Sequence, residues 1–345
     1  MNIDSLVRNN VKNMSSYSSA RDDFKKNYDK KFIYFDANES PFDNGINRYP
    51  NNNHIKLKKV ISNIKNVKIN QVVFGNGTDE ILDLIIRVFC NPFKDKIITL
   101  PPTYGMYDVI AKTNGVDNIE IPLTSDFSIN KNEILKLNST NIKVLFLCSP
   151  NNPTGNSFGT NDLIDLIKGF KGIVVVDEAY IDFSTKESLI SLINDNNNLI
   201  ITQTMSKAFG MAGIRLGMGF SNEKIIRYLN KIKPPYNLNV LTERKALKEL
   251  NKINEIKKNI ALTLTQRKLL ITSLEKLDFI EKIYESDANF LLVKVDNADL
   301  RYNQLLKKGI VVRNRSNQPL CQNCLRITIG TKYDNDTLIK TLNEL

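Results

Sequence analysis

The chain has 345 residues, 41% hydrophobic and 25% charged, an ordinary globular composition with enough length for a large and a small domain. No run of about 18 apolar residues occurs and the N-terminus lacks an apolar signal region, so neither a membrane-spanning helix nor a secretory leader is expected, and the cytoplasm is the expected compartment. The net charge of +11 comes from lysines dispersed among Asn and Ile, as in KLKKVISNIKNVKIN, which reads as a solvated surface compatible with small anionic substrates and not as a nucleic-acid face.

Residues 1–28 are polar and irregular and read as an arm. From about residue 31 strand and helix patterns alternate. His54, the only histidine, lies in YPNNNHIKLKK without an acidic neighbour and reads as a surface residue, which excludes HExxH zinc chemistry and a Ser-His-Asp triad. Residues 78–90, TDEILDLIIRVFC, place Ile81, Leu82, Ile85, Val88 and Phe89 on one helical face, with Thr78 as the cap and Asp79 and Glu80 at the positive end of the dipole. Residues 96–100 (KIITL), 143–148 (KVLFLC), 172–176 (GIVVV) and 198–202 (NLIIT) are short apolar runs expected of buried parallel strands. This alternation predicts an α/β domain with a mostly parallel central sheet flanked by helices, whose ligands sit at the strand C-termini. Pro234-Pro235 breaks the chain, which divides it into a large domain, 29–235, and a smaller α+β domain, 236–345. The latter is helix-rich from about 240 to 275 and has short strands at 288–295, 310–313 and 325–329. Between the last two lies Cys321-Gln-Asn-Cys324, only half of a four-cysteine zinc site, so no metal is expected there.

The motifs that carry chemistry follow the strands. SPNNPTG, residues 149–155, comes after KVLFLC; Asp177-Glu178-Ala179-Tyr180 after GIVVV; and Thr204-Met205-Ser206-Lys207 after NLIIT. Each alone is an ordinary loop, helix start or exposed lysine. Together they answer the needs of one cofactor, pyridoxal 5′-phosphate. Its aldehyde needs an amine, which Lys207 supplies, and its pyridine nitrogen needs a carboxylate, which Asp177 supplies. Asn152 and Tyr180 offer hydrogen bonds to the ring oxygen, and Tyr104, in PPTYG, offers an aromatic face. The phosphate needs N–H groups at a helix N-terminus and cations, met by GNGTDE (75–80), Ser206 and Arg215. GNGTDEI lacks the third glycine of a dinucleotide fingerprint and the Gly-Lys-Ser/Thr of a P-loop, which disfavours nicotinamide and ATP.

This set resembles the fold-type-I pyridoxal-phosphate-dependent aminotransferases and, within them, the histidinol-phosphate aminotransferase family. The matching segments run from residue 17 to 330: YSSAR, DANESP, RYP, GNGTDE, CNPFKDKIITLPPTYGMY, CSPNNPTG, VVVDEAYIDF, TMSKAFGMAGIRLG and CLRITIG. The resemblance implies that Lys207 is the Schiff-base lysine and proton shuttle, that Asp177 pairs with the pyridine nitrogen, that Asn152 and Tyr180 bind the ring oxygen and that Tyr104 stacks on the ring. It implies a phosphate site of Thr78, Asp79, Ser206 and Arg215. Tyr49 would reach the partner subunit's cofactor phosphate and Tyr17 would close over the neighbouring substrate, which implies a homodimer with shared active sites. Arg326 would clamp the substrate's anionic group with Arg313 as companion at its phosphate, a task suited to the planar guanidinium fork. The implied reaction is a ping-pong exchange between glutamate/2-oxoglutarate and histidinol phosphate/imidazole-acetol phosphate in histidine biosynthesis.

Two departures from the family pattern, Ser40 before Pro41 and the pair Gly210-Met211, lie away from the chemistry. Three alternatives stay open: an aromatic amino-acid aminotransferase, a threonine-phosphate decarboxylase, and a catalytically silent pyridoxal-binding regulator, the last disfavoured by intact Lys207, Asp177, Asn152 and Tyr180.

Overall fold

The computed structural model describes residues 1–17 and 32–345. The segment after Tyr17 that carries Ser18 to Arg21 of the YSSAR motif lies outside the described residues. The chain begins with a short 3-10 turn, Ile3–Ser5, and helix α1, Asn9–Asn13. Helix α2 is Ile55–Lys65, strand β1 Val72–Asn76 and helix α3 Thr78–Phe89. Then come β2 (Lys96–Thr99), α4 (Met106–Thr113), β3 (Asp117–Glu120), α5 (Lys131–Lys136), β4 (Ile142–Cys148) and α6 (Thr160–Gly169). Strands β5 (Ile173–Asp177), β6 (Leu199–Thr204) and β7 (Leu216–Ser221) precede helix α7 (Glu223–Ile232).

Strands β1 to β7 form one sheet in the order β1-β7-β6-β5-β4-β2-β3. Strands β3, β2, β4, β5 and β6 run parallel, and β7 is antiparallel to both its neighbours. The expected mostly parallel sheet is therefore present. Every residue of β5 and β6 is buried, because helices cover both faces, which is why these strands read as unbroken apolar runs. Helix α3 buries Ile81, Leu82, Leu84, Ile85, Ile86, Val88 and Phe89 against one face. Its N-cap is Gly77 and not Thr78, which is the first helical residue.

The N-terminus departs from the irregular arm expected of it. Ile3, Val7 and Val11 are buried in the core that contains α3 and α7. Polar contacts fasten the segment to α7: Asp4 accepts from Lys224 Nζ at 2.7 Å and Tyr228 Oη at 2.8 Å. His54 is likewise not a surface residue. It is 2% exposed, and its Nδ1 lies 3.0 Å from the Glu243 carboxylate, a partner 189 residues away that no local pattern reveals.

The C-terminal part opens with helices α8 (Val240–Leu250) and α9 (Ile253–Leu274). Strands β8 (Ile280–Ile283) and β9 (Phe290–Val295), helix α10 (Ala298–Lys307), strands β10 (Arg313–Asn314) and β11 (Cys324–Thr328) and helix α11 (Lys332–Leu342) follow. The four strands make an antiparallel sheet in the order β10-β11-β9-β8. One face carries Leu291, Val293, Leu325 and Ile327 into a core shared with α9, α10 and α11. Phe290 and Leu292 point the other way, into the cluster that holds Tyr180 and Phe183 of the large sheet's loops. The two sheets therefore share a wall, and β11 is held beside the loops that follow β4, β5 and β6.

Candidate active site

Those loops and β11 enclose a cavity of about 420 Å³. It is lined by Thr78, Asp79, Tyr104, Asn152, Asp177, Tyr180, Ser206, Lys207, Arg215, Arg313 and Arg326, all singled out by sequence, and by Cys148, Ala179, Thr204 and Arg315, which were not.

Asp177 is the last residue of β5 and is 3% exposed. Its Oδ2 accepts from the Tyr107 hydroxyl at 2.8 Å and its Oδ1 from the Ala179 N–H at 3.2 Å. Burial raises its pKa above the usual carboxylate value, and the two donors only partly oppose this. Tyr107 is itself buried and stacked on Phe146 at 4.8 Å, and burial keeps its hydroxyl protonated and hence a donor. Neighbouring Glu178 turns the opposite way. Its carboxylate accepts from the Leu189 N–H at 2.7 Å and Gln203 Nε2 at 2.8 Å, which ties the loop after β5 to β6.

An anion cradle forms where β1 meets α3. Gly77 has φ +78°, a conformation that favours glycine, and its N–H donates to the Arg215 carbonyl at 2.8 Å. A Cβ on Gly77 would stand 2.6 Å from Arg215 Nη2, and one on Gly217 would stand 2.4 Å from the Gly77 carbonyl carbon. The absence of both side chains lets the Arg215 guanidinium and β7 close onto the N-terminus of α3. The first-turn N–H groups at Thr78 and Asp79 have no acceptor within the helix and sit at its positive end. Asp79 does not neutralise the cradle outright: its carboxylate accepts from the Tyr104 hydroxyl at 3.0 Å and lies 4.0 Å from Arg215.

Lys207 follows β6 and opens into the cavity, with Nζ 5.6 Å from the Tyr180 ring centroid. Its pKa is lowered, first by burial and then by the charges of Arg326 and Arg215. Tyr180 packs edge-on against Phe290 at 5.2 Å, and burial raises its pKa, so it too remains a donor. Opposite stands a cationic wall. Arg313 and Arg326 are cross-strand partners on β10 and β11, and Arg326 Nη1 donates to Asn152 Oδ1. A carboxylate with a raised pKa, an amine with a lowered one, an anion cradle and a cluster of guanidiniums can together hold an anionic aldehyde and an anionic amine and move a proton between them.

The model of the family described as aminotransferase class I and II matches residues 36–342. A histidinol-phosphate aminotransferase of Flavobacterium psychrophilum is 54% identical over 100% of this chain and 99% of its own. One of Flavobacterium johnsoniae is 53% identical over 99% of this chain and 98% of its own. The chain belongs to the histidinol-phosphate aminotransferase family, within aminotransferase class I and II. The crystal structure of a histidinol-phosphate aminotransferase from Clostridium acetobutylicum superimposes with a TM-score of 0.80, at 29% identity, over 87% of this chain and 90% of that one.

In this aminotransferase the resident group implied by the family is tested by the donor set. The cradle at Gly77 leaves room that a Cβ would fill, Asp177 is a buried carboxylate aimed into the cavity, and Lys207 supplies the amine. These residues fit a pyridine ring bearing an aldehyde and a phosphate.

Two sequence candidates lie elsewhere. Tyr49 stacks on Tyr236 at 4.6 Å beside a separate groove of about 460 Å³. Tyr17 is exposed at the edge of a third groove. Neither enters the cavity of its own chain. Cys321 and Cys324 are free thiols buried where the two sheets meet, and the Cys324 N–H donates to the Cys321 carbonyl at 3.0 Å. They pack the turn that presents the arginine wall. Tyr107 was legible only as part of PPTYGMY, because nothing local indicates that it reaches a carboxylate 70 residues later.

Proposed function

We propose that the chain is a pyridoxal-5′-phosphate-dependent histidinol-phosphate transaminase, exchanging an amino group between L-histidinol phosphate/imidazole-acetol phosphate and 2-oxoglutarate/glutamate in histidine biosynthesis. The observation that carries the reading is the convergence of Lys207, Asp177, the Gly77 cradle and the arginine wall on one cavity of about 420 Å³. The 54% identity to a curated histidinol-phosphate aminotransferase supports the substrate.

Thr78 and Asp79 N–H groups, Ser206 and Arg215 would hold the cofactor's phosphate. Asn152 and Tyr180 would donate to its ring oxygen, Tyr104 would lie along its face, and Asp177 would hold a proton on its pyridine nitrogen. When bound, the group supplies a carbonyl that captures the substrate amine and a protonated ring that draws off the electrons freed when the α-proton leaves. Lys207 Nζ takes that proton from the substrate's α-carbon, for which it must be neutral, and the lowered pKa favours this. Arg326 and Arg313 orient the substrate by its anionic group. The chain would act as a homodimer, Tyr49 reaching the partner's cofactor phosphate and Tyr17 its substrate. Residues 29–235 form the cofactor domain in this reading and 236–345 the smaller domain, which supplies the arginines.

The test is Lys207→Ala, expected to abolish turnover and the visible absorbance that the bound cofactor lends the protein; a variant that retained turnover would refute the reading. Substrate is tested by offering histidinol phosphate and phenylalanine as competing amino donors to 2-oxoglutarate, with CO2 release from threonine phosphate assayed in parallel. Preference for phenylalanine, or CO2 release, would replace the reading by one of its rivals.

A further inference from the structure

Arg315 lines the cavity, yet none of the cofactor and substrate roles assigned above requires it. It follows β10, and its N–H donates to the Cys324 carbonyl at 2.8 Å, which fastens it beside β11 and hence beside Arg326. The turn that returns the chain to β11 is stitched by further bonds, Gln318 N–H to the Arg315 carbonyl at 2.8 Å and Cys321 N–H to the Gln318 carbonyl at 3.2 Å. The backbone around Arg315 is thus held in place whatever its side chain does.

The side chain itself is unsatisfied. Its Nε is buried and has no hydrogen-bond acceptor among the described residues. No carboxylate pairs with Arg313, Arg315 or Arg326 among the described residues. Burial and the like charges of Arg326 and Arg313 bring the pKa of Arg315 down to about 10, so the free protein holds three guanidiniums against one another. A donor without an acceptor and an uncompensated charge cluster both cost free energy, and one bound anion would relieve both.

Anions differ in how much of this they relieve. A carboxylate has two oxygens and one charge, which two arginines satisfy. A phosphomonoester has three terminal oxygens and nearly two charges at neutral pH. We propose that Arg315 is a specificity-determining residue: together with Arg313 and Arg326 it encloses the three terminal oxygens of a phosphorylated amino substrate, and it contributes little to binding the carboxylates of the amino-acid substrate. The inference rests on the transaminase reading and adds to it the group that separates the two half-reactions.

The experiment uses the full-length, cofactor-loaded protein and its Arg315→Gln and Arg315→Lys variants. Single-turnover kcat/KM is measured separately with histidinol phosphate and with glutamate, and inorganic phosphate and acetate are titrated as competing ligands. For Arg315→Gln the expected loss is roughly 30- to 100-fold with histidinol phosphate, the scale of one charge-assisted contact, and less than about 3-fold with glutamate. Inhibition by phosphate weakens by about 10-fold or more while inhibition by acetate stays nearly constant, and Arg315→Lys recovers part of the phosphate effect as a point charge without the fork. Equal losses in both half-reactions would assign Arg315 a packing role and overturn the inference, as would an unchanged rate with histidinol phosphate. A wild-type protein that does not accept histidinol phosphate at all refutes the transaminase reading itself, a result distinguishable from either.

Discussion

Burial shifts the pKa values of both Asp177 and Lys207 toward their uncharged forms, raising one and lowering the other. For Asp177 the folded-state pKa is raised above 3.8, so between the unfolded and folded values the native state binds more protons than the unfolded chain. Stability from this group is present at low pH and is lost as pH rises through the folded value, which makes the ionised carboxylate a cost at neutral pH until a cation faces it. Asp177→Asn should therefore melt higher than wild type by about 2–4 °C when cofactor-free and yet bind pyridoxal phosphate at least ~100-fold more weakly. Thermal melts with and without cofactor check both signs, and a cofactor-free variant less stable than wild type would contradict the account. Lys207 is the mirror case, its pKa lowered from 10.5 by burial first and Arg326 second. The rate of cofactor capture by the cofactor-free protein should rise with pH through a midpoint below 10.5, because the neutral amine is the reactive form. Arg326→Gln should move that midpoint upward, as followed by stopped-flow absorbance; a midpoint that stayed put would leave burial and Arg215 as the causes of the shift.

At the level of elements, the site depends on β7 approaching the start of α3 closely enough that neither Gly77 nor Gly217 tolerates a side chain. A Cβ on Gly217 would meet backbone 2.4 Å away, which no rotamer change relieves. Gly217→Ala should cost about 1–3 kcal/mol in denaturant unfolding and weaken cofactor binding together, by prising the cradle open. Loss of stability alone, with cofactor affinity intact, would show that the cradle is not the phosphate site. The same close approach explains what the sequence concealed. Strand β7, LGMGFS, is too rich in glycine to read as a strand, and β3, DNIE, is a polar edge strand. Strands β4, β5 and β6 were legible because both their faces are buried, and the catalytic motifs were legible because they follow those strands directly. The burial of Ile3, Val7 and Val11 was not legible, because polar neighbours surround them and they do not share one element. Nor were partners far apart in the chain: His54 with Glu243, Tyr107 with Asp177, and Arg315 beside Arg326 become neighbours only through topology.

The whole molecule leaves a conspicuous apolar surface. Ile33, Phe35 and Phe42 are 82%, 94% and 81% exposed, and Ile46, Tyr49 and Leu241 are more than half exposed around one groove. Apolar side chains exposed around a groove mark an interaction surface, and a second copy packed over the groove would bury Ile46, Tyr49 and Leu241 in a self-complementary contact. Tyr49 sits on this face and outside its own chain's cavity, so the role proposed for it requires a partner subunit's site. Subunit mixing tests this without a structure of the assembly. Lys207→Ala lacks the amine but presents an intact Tyr49; Tyr49→Phe keeps the amine but presents no hydroxyl to its partner. If Tyr49 serves the neighbouring site, a hybrid of the two contains one site with both Lys207 and a partner's Tyr49 hydroxyl, and another with neither. With free exchange about half of all dimers are hybrids. At limiting pyridoxal phosphate the mixture should then exceed the sum of its separate components, because the competent hybrid site binds cofactor more tightly than any site in Tyr49→Phe alone. Activity equal to that sum, from subunits shown by mass measurement to have exchanged, would mean that each cavity is complete within its own chain.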